Sequence, residues 1–209
     1  MTGIGLGLLG AGGQAAEVVD YVGSENVRFF AVDAAYLRDS QPPLCDVDTD
    51  DPALTELPVV AAVGAPGLRR ELVARWSGSS YRTVQHPTAY VAATAAIGEG
   101  CVIAPLSAVS SRTSLGRHVI VNLSATVSHD CTVGDFVTIS PGAHIAGGVT
   151  IQDGAFVGIG ASVSNGVTIA AGSVIGAGAV VIRDTEPNGV YAGAPARRLG
   201  TREDWLREL

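Results

Sequence analysis

Residues 121–145, VNLSATVSHDCTVGDFVTISPGAHI, carry an aliphatic side chain at every sixth position. Followed outward in both directions, this register is unbroken from Val91 to Val181. Neither the period of a helix nor that of a strand produces it, whereas the hexapeptide repeats of parallel β-helices do. We therefore predict a parallel β-helix over about residues 88–183. The aliphatic positions are Val91, Ile97, Ile103, Val109, Leu115, Val121, Val127, Val133, Ile139, Ile145, Ile151, Val157, Val163, Ile169, Ile175 and Val181.

Two positions before the aliphatic residue, the repeat holds mostly small side chains, such as Ala125, Cys131 and Ala143. Small residues fit beside the corner of a three-faced prism. With one hexapeptide on each face, a coil takes about eighteen residues, and the repeat gives roughly five coils. Glycine often follows the aliphatic residue, and we expect these glycines to form tight corners because they lack a Cβ. They are Gly98, Gly116, Gly134, Gly158 and Gly176.

The first 85 residues alternate apolar strands with amphipathic stretches and predict a small α/β domain, too short for a full two-lobed dinucleotide fold. We place Arg69, Arg70 and Arg75 on the polar face of its last helix. The chain is thus divided into an α/β domain, residues 1–85, and a β-helix domain, residues 86–209. In order, the predicted N-terminal elements are a strand at 4–9, the glycine loop 10–13, a helix at 14–22, a strand at 27–32, a Pro- and Asp-rich loop at 40–55, a strand at 58–63 and a helix at 65–76.

A short helix is predicted at the C-terminal end of the sequence. Thr201 offers an N-cap side chain and Asp204 supplies an acid three positions later, which is the pattern of a capping box. Trp205, Leu206 and Leu209 would pack this helix against the β-helix or against a neighbouring subunit.

Charge and composition exclude several classes of partner. A net charge of -7 opposes binding to a nucleic-acid backbone, which requires clustered Lys and Arg. The sequence has no run of about eighteen apolar residues, so membrane insertion is not expected, and its N-terminal stretch lacks the basic flank of a signal peptide. These features favour a cytoplasmic protein. The three cysteines have no CxxC spacing, so they predict neither a disulfide framework nor a metal site.

His129 and Asp130 follow the aliphatic Val127, where both side chains can face outward at a coil corner. An exposed imidazole beside a carboxylate is suited to general-base catalysis, because the acid fixes the tautomer of the ring and stabilises the imidazolium. The pair is also compatible with an ordinary polar turn at the surface. Spacing alone leaves both interpretations open.

The segments around this pair resemble the bacterial sugar O-acyltransferases of the sialic acid O-acetyltransferase family, which includes N-acetyltransferases of nucleotide-linked 4-amino-sugars. The resemblance covers nearly the whole chain and implies a left-handed β-helix, a Gly-rich Rossmann-like N-terminal domain, acetyl-CoA as co-substrate and a homotrimer with acetyl-CoA between adjacent prisms. The matching segments are HDCTVGDF (129–136), PGAHIAGGVTI (141–151), GASVSNGVTI (160–169), GAGAVVIRD (176–184) and AGAPARRL (192–199).

The resemblance also implies roles for single residues. His129 would be the base that deprotonates the acceptor, Asp130 would assist it, and the backbone N–H of Gly147 would stabilise the oxyanion. Family members commonly have a second His near the thioester, where this chain has Thr138; His144 is a weak substitute for it. The implied acetyl-CoA contacts are Thr138, Gly158, Ile159, Gly160, Ala177, Gly178, Pro195 and Arg197.

By the same resemblance, the N-terminal domain would bind the nucleotide-sugar. Its glycine loop would hold the pyrophosphate at the start of a helix, and Asp33 would bind the base or the ribose. Gln14 and Ala34 stand where many relatives have a His and a second acid, so the identity of the sugar nucleotide stays open. The implied acceptor contacts are Gly12, Gly13, Gln14, Asp33, Ala34, Gly64 and Asn122.

Three functions follow as hypotheses. The first is an N-acetyltransferase acting on the 4-amino group of a nucleotide-linked sugar, which the glycine loop with Asp33 favours. The second is an O-acetyltransferase acting on a sialic acid or another sugar hydroxyl, since one base serves both acceptors. The third is a non-enzymatic hexapeptide protein or a zinc-dependent hydratase. A zinc site of that kind needs three His ligands, and because only His118 or His144 could join His129, the set looks incomplete.

Overall fold

A computed structural model describes residues 5–209, so Ile4 of the predicted first strand lies outside the described residues. The N-terminal strands are β1 (Leu6–Leu9), β2 (Val27–Val32), β3 (Leu44–Asp46) and β4 (Val59–Ala61), and the helices are α1 (Gly13–Val22), α2 (Pro52–Thr55) and α3 (Pro66–Arg75). The strands form a parallel sheet in the order β3-β2-β1-β4. Alternate residues of β1 face opposite sides, so Leu8 packs in a cluster with Val18 of α1 and Leu9 in a cluster with Leu72 of α3.

The Pro- and Asp-rich stretch at 40–55 is not a plain loop, so that part of the sequence prediction is wrong. Strand β3 lies within it and pairs in parallel with β2, which leaves β3 as the edge of the sheet. Helix α2 also lies within it and is capped by Asp51, whose carboxylate accepts a hydrogen bond from the backbone N–H of Ala53. Pairing and capping organise these residues despite their composition.

The C-terminal part is a parallel β-helix with three faces. The first face contains β5 (Val84–Gln85), β8 (Val102–Ile103), β11 (Ile120–Val121), β14 (Thr138–Ile139), β17 (Phe156–Val157) and β20 (Val174–Ile175). The second face contains β6 (Tyr90–Val91), β9 (Ala108–Val109), β12 (Thr126–Val127), β15 (His144–Ile145), β18 (Ser162–Val163) and β21 (Val180–Val181). The third face contains β7 (Ala96–Ile97), β10 (Ser114–Leu115), β13 (Thr132–Val133), β16 (Thr150–Ile151) and β19 (Thr168–Ile169).

The hexapeptide register is confirmed by the strand pairing. Val127 pairs with Val109 on one side and with Ile145 on the other, so one coil takes eighteen residues as predicted. The aliphatic positions from Ile103 to Val181 are buried in one continuous core, together with small neighbours such as Ala125 and Cys131. The architecture fits the left-handed parallel β-helix of acetyltransferases.

The corners differ from the prediction. Backbone with positive φ recurs three residues after the aliphatic position, as at Asp130 with φ 60° and Gly148 with φ 71°. Gly98 and Gly116 are not at those positions; a Cβ on Gly98 would lie 2.3 Å from the carbonyl oxygen of Gly116 in the next coil. Glycine is needed there because successive coils approach closely, and the tight-corner explanation is wrong.

Arg69 joins the two domains, and its predicted place on a polar helix face is wrong. Its side chain is 0% exposed. The guanidinium donates to backbone carbonyls of both domains, which compensates for its removal from water. The acceptors are Val63 and Gly64 in the N-terminal domain and His118, Phe136 and Val137 in the β-helix.

The predicted C-terminal helix is wrong as well. After the last coil, β22 (Gly189–Ala192) and β23 (Arg197–Thr201) form an antiparallel hairpin, and β22 extends the first face. Thr201 is therefore used as the last residue of a strand rather than as a cap. A nine-residue segment is too short to form a stable helix without support, and its tertiary contacts hold it in a non-helical conformation. Within residues 5–209, no helix is long and apolar enough to cross a membrane.

Candidate active site

His129 lies just beyond β12, at the edge between the second and third faces of the β-helix. Its side chain is 59% exposed, and its Nδ1 lies 2.7 Å from Oδ2 of Asp130. Because an ionised carboxylate only accepts hydrogen bonds, Nδ1 carries the hydrogen and Nε2 of the neutral ring keeps its lone pair. The geometry thus gives a base whose free nitrogen faces away from its orienting acid.

Asp130 is held by a second partner that sequence reasoning missed. Arg112 donates from Nε to Oδ1 at 2.7 Å and from Nη2 to Oδ2 at 2.8 Å. The hydrogen bonds from Arg112 and then from His129 lower the pKa of Asp130 to about 2, so the carboxylate is ionised at neutral pH. Arg112 precedes Asp130 by one coil, and the eighteen-residue spacing is the signal that could have found it.

Gly147 lies directly beneath the imidazole. A Cβ at this position would be 2.6 Å from Cε1 and 2.8 Å from Nε2 of His129, so no other residue fits under the ring in this position. Among the hydrogen bonds of residues 5–209, the backbone N–H of Gly147 has no acceptor. A free donor therefore lies beside the base, as oxyanion stabilisation requires.

A second feature of the site is a cavity of about 1000 Å³ where the N-terminal domain meets the β-helix and the C-terminal segment. It brings together most of the residues predicted to bind the acceptor. Ala34 is not among its lining residues; it lies in an exposed turn that Asp33 caps by accepting the N–H of Ala35. The lining residues from the prediction are Gly12, Gly13, Gln14, Asp33, Gly64 and Asn122.

The glycine loop leaves space for an anion in this cavity. Helix α1 has no side-chain cap at its N-terminus, so its first backbone N–H groups remain available. Apart from the chain neighbours and the backbone of α1 itself, no atom lies within 4 Å of the position that a Cβ would take on Gly12 or Gly13. Open space in front of an uncapped helix N-terminus fits a phosphate group.

Asp33 lies at the carboxyl end of β2, on the wall of the cavity. It accepts the N–H of Ala35 at 3.0 Å and a hydrogen bond from Arg75 at 2.8 Å. Arg75 in turn binds both carboxylate oxygens of Asp48. The Arg75 guanidinium lowers the pKa of Asp33, which keeps the carboxylate ionised and fixed in place.

Gln14 and Asn122 meet across the domain boundary inside the cavity. The amide of Asn122 donates to Oε1 of Gln14 at 3.0 Å, and the amide of Gln14 donates to Glu17 at 3.0 Å. Both side chains therefore present polar groups at the junction of the two domains.

The residues predicted to bind acetyl-CoA lie on another edge of the β-helix. Gly160 and Gly178 form equivalent corners of successive coils between the first and second faces, and the N–H of Gly178 donates to Ile159. Gly158 and Ala177 flank these corners, while Pro195 and Arg197 lie beyond the last coil. His129 belongs to a different edge of the same prism, so one chain does not bring the two sets together.

Thr138 is placed at the contact between the domains. It is 2% exposed, and its hydroxyl donates to the carbonyl of Gly64 at 2.7 Å. This position is covered by the N-terminal domain and does not reach the exposed corners at Gly160 and Gly178.

The histidines do not assemble a metal site. His118 is 0% exposed, with its ring between Tyr81 at 4.7 Å and Phe136 at 4.9 Å. His144 lies on the second face and bonds Thr126 at 2.9 Å. Across residues 5–209, no group of three or more His, Cys, Asp or Glu side chains is arranged to hold a metal ion.

A histidine base beside a free backbone amide on a hexapeptide β-helix defines the class as acyltransferase. No family model and no curated protein sequence matches the chain. A solved structure does match: a His-to-Ala mutant of GDP-perosamine N-acetyltransferase from Caulobacter crescentus, in complex with CoA and GDP-perosamine. It is 31% identical with a TM-score of 0.82, and the match covers 94% of this chain and 97% of that one. The chain belongs to the family of hexapeptide-repeat sugar acetyltransferases.

Two further solved structures match over nearly the same length. The acetyltransferase domain of PglB from Neisseria gonorrhoeae is 30% identical with a TM-score of 0.81, covering 94% of this chain and all (100%) of that one. WeeI from Acinetobacter baumannii is 27% identical with a TM-score of 0.81, covering 93% and 99%. The PglB domain has also been solved with acetyl coenzyme A.

Proposed function

We propose that this enzyme transfers the acetyl group of acetyl-CoA to the 4-amino group of a nucleotide-linked amino-sugar, with His129 as the general base. The observation that carries the proposal is the position of the imidazole, whose Nδ1 is bound to Asp130 and whose ring lies against Gly147, a residue whose N–H has no acceptor among residues 5–209. The ligands of the relatives, CoA, acetyl-CoA and GDP-perosamine, support the choice of both substrates.

His129 accepts, at Nε2, the proton that the acceptor nitrogen loses as it bonds to the acetyl carbon, and returns it to the CoA sulfur when the C–S bond breaks. Asp130 stabilises the imidazolium between these two steps. The N–H of Gly147 donates to the thioester oxygen as negative charge develops on it. The base, its orienting acid and the oxyanion donor all belong to the same chain.

We propose that each of the two domains binds one of the two substrates. Residues 1–85 form a Rossmann-like unit that binds the nucleotide-sugar, with the pyrophosphate at Gly12 and Gly13 and the nucleoside near Asp33. Residues 86–209 bind acetyl-CoA along Gly160 and Gly178. The uncapped start of α1 and the ionised carboxylate of Asp33, both on one cavity, support the acceptor site. Because acetyl-CoA is made in the cytoplasm, we place the reaction there.

We propose that the enzyme works as a homotrimer in which each site is shared between chains. His129 and the corners at Gly160 and Gly178 lie on different edges of one prism, so a neighbouring chain must complete each site. Light scattering should report three chains. In mixed trimers of H129A and A177W chains, activity should return at interfaces where one chain supplies His129 and its neighbour supplies Ala177. A fully active monomer, or mixed trimers without activity, would contradict the shared site.

The acceptor is identified by mass spectrometry of products from acetyl-CoA and a panel of GDP-, UDP- and dTDP-linked 4-amino-sugars. Each amino-sugar is paired with its 4-hydroxy counterpart as a matched control. We expect a gain of one acetyl group on an amine, formed by the parent enzyme and lost with H129A. Acetylation of the hydroxyl counterparts alone would replace this proposal with O-acetyl transfer.

A further inference from the structure

Arg112 and Asp130 form a two-pronged contact between successive coils. Both residues stand at corners with positive φ, 56° and 60°, on the edge that carries His129. The N–H of Asp130 donates to Ser111, and the N–H of Arg112 donates to Thr94, so each corner is fixed to the coil before it. The planar guanidinium fits the carboxylate with two parallel hydrogen bonds, which restricts its orientation.

Both oxygens of Asp130 are engaged, and Oδ2 is shared between Arg112 and His129. The position of the carboxylate sets the direction of Nδ1, and through the ring it sets the direction of Nε2. An isolated surface ion pair stabilises a protein by little. This pair differs because its acid is also the partner of the base.

We propose that Arg112 is a positioning residue of the acetyl transfer, which holds Asp130, and through it the ring of His129, in place and offsets the negative charge of the carboxylate. This inference rests on the proposed function of His129. An unopposed carboxylate would favour the protonated imidazole, which cannot accept a proton, while Arg112 weakens that effect.

Apart from Arg112 and Asp130, the groups that flank His129 on this edge are uncharged. The preceding coil presents Arg112, and the corner of His129 itself presents Asp130. Cys131 points inward, with Sγ 3.2 Å from the carbonyl of Ala146 and a pKa raised by burial. The following coils present Gly147, Gly148 and the uncharged Asn165.

The test compares R112M and R112K with the parent enzyme, with R117M as the matched control. Arg117 forms a similarly exposed ion pair with Glu99 at 2.8 Å on another edge. Titration of the His129 ring followed by NMR, assigned with H129A, does not depend on turnover. In R112M the ring should titrate at a higher pH than in the parent enzyme, and the difference should be smaller at high salt. In R117M the titration should not move.

Kinetics supply the second readout. R112M should lower kcat by about tenfold with little change in the KM for acetyl-CoA, because the base is misdirected while the binding surface is kept. R112K should return the titration towards that of the parent but restore kcat only partly, since Lys supplies the charge without the two parallel hydrogen bonds of the guanidinium. A parent-like titration and kcat in R112M would overturn the role of Arg112. Full activity of H129A would instead overturn the function on which it rests.

Discussion

The backbone N–H of Gly67, in the first turn of α3, donates a 2.7 Å hydrogen bond to the carbonyl of Leu206. This bond joins the C-terminal segment to the N-terminal domain. Beside it, the guanidinium of Arg70 lies over the ring of Trp205 and pairs with Asp204. The segment that follows, with Arg207 and Leu209, forms part of the cavity wall.

We predict that G67A weakens binding of the nucleotide-sugar. The added Cβ would lie 2.9 Å from the carbonyl oxygens of Trp205 and Leu206, so the C-terminal segment must shift away from the cavity. The KM for the acceptor should rise several-fold while the KM for acetyl-CoA stays unchanged, and overpacking should lower the free energy of unfolding by about 1–3 kcal/mol. G200A is the control, because its Cβ would meet no atom within 4 Å. If G67A and G200A change the KM for the acceptor equally, the C-terminal segment does not take part in acceptor binding.

Asp33 should act on the acceptor and not on acetyl-CoA. We predict that D33A raises the KM for the nucleotide-sugar, because the ionised acceptor group on the cavity wall is removed. D48A is a matched control, since Asp48 bonds the same Arg75 but does not line the cavity. Steady-state kinetics with each substrate varied in turn measures both constants. If D33A instead weakens the binding of acetyl-CoA, the two ligands have been assigned to the wrong domains.

Buried His118 should make the protein less stable in mild acid. Burial, and secondarily the charges of Arg117 and Arg69, lower the pKa of His118 to about 4, against a small opposing effect of Asp135. Between that value and its usual value near 6.5, the unfolded chain binds more protons, so stability rises with pH. The contribution is complete above pH 6.5 and is lost as pH falls towards 4, by up to about 1.4 kcal/mol per pH unit.

Urea unfolding at a series of pH values measures this dependence. H118L should flatten the slope in that window, because a buried leucine has no proton to bind. H86L is the control, since His86 is partly exposed and bonds Thr88 in a turn. An unchanged slope in H118L would assign the acid sensitivity to another group.

The sequence predicted the features that repeat or that depend on near neighbours. The hexapeptide register determined the β-helix because every step buries an aliphatic residue, and the β-α-β pattern located β2, α1 and α3 to within one or two residues. His129 stands out in the sequence because an acid is adjacent to it and because the surrounding segments resemble the sugar acetyltransferases, and its role as the base stays a prediction.

Contacts between distant segments were not predictable in the same way. Arg69 looked like a surface residue because its carbonyl partners belong to another domain. The segment after Thr201 had a capping pattern, yet its conformation is set by Gly67 and Arg70. Arg112 does not stand out in the sequence, because its contact with Asp130 joins residues one whole coil apart.

The most direct test of the account is the turnover of H129A on the identified acceptor. Loss of a general base costs about 10²- to 10⁴-fold, so kcat should fall by that order while the affinity for acetyl-CoA, measured by calorimetry, changes little. D130N should cost less, since it leaves the base in place. The rate of the parent should rise with pH as the ring loses its proton, and H129A should lack this rise. Near-normal turnover of H129A would show that His129 is an ordinary corner residue and would contradict the mechanism.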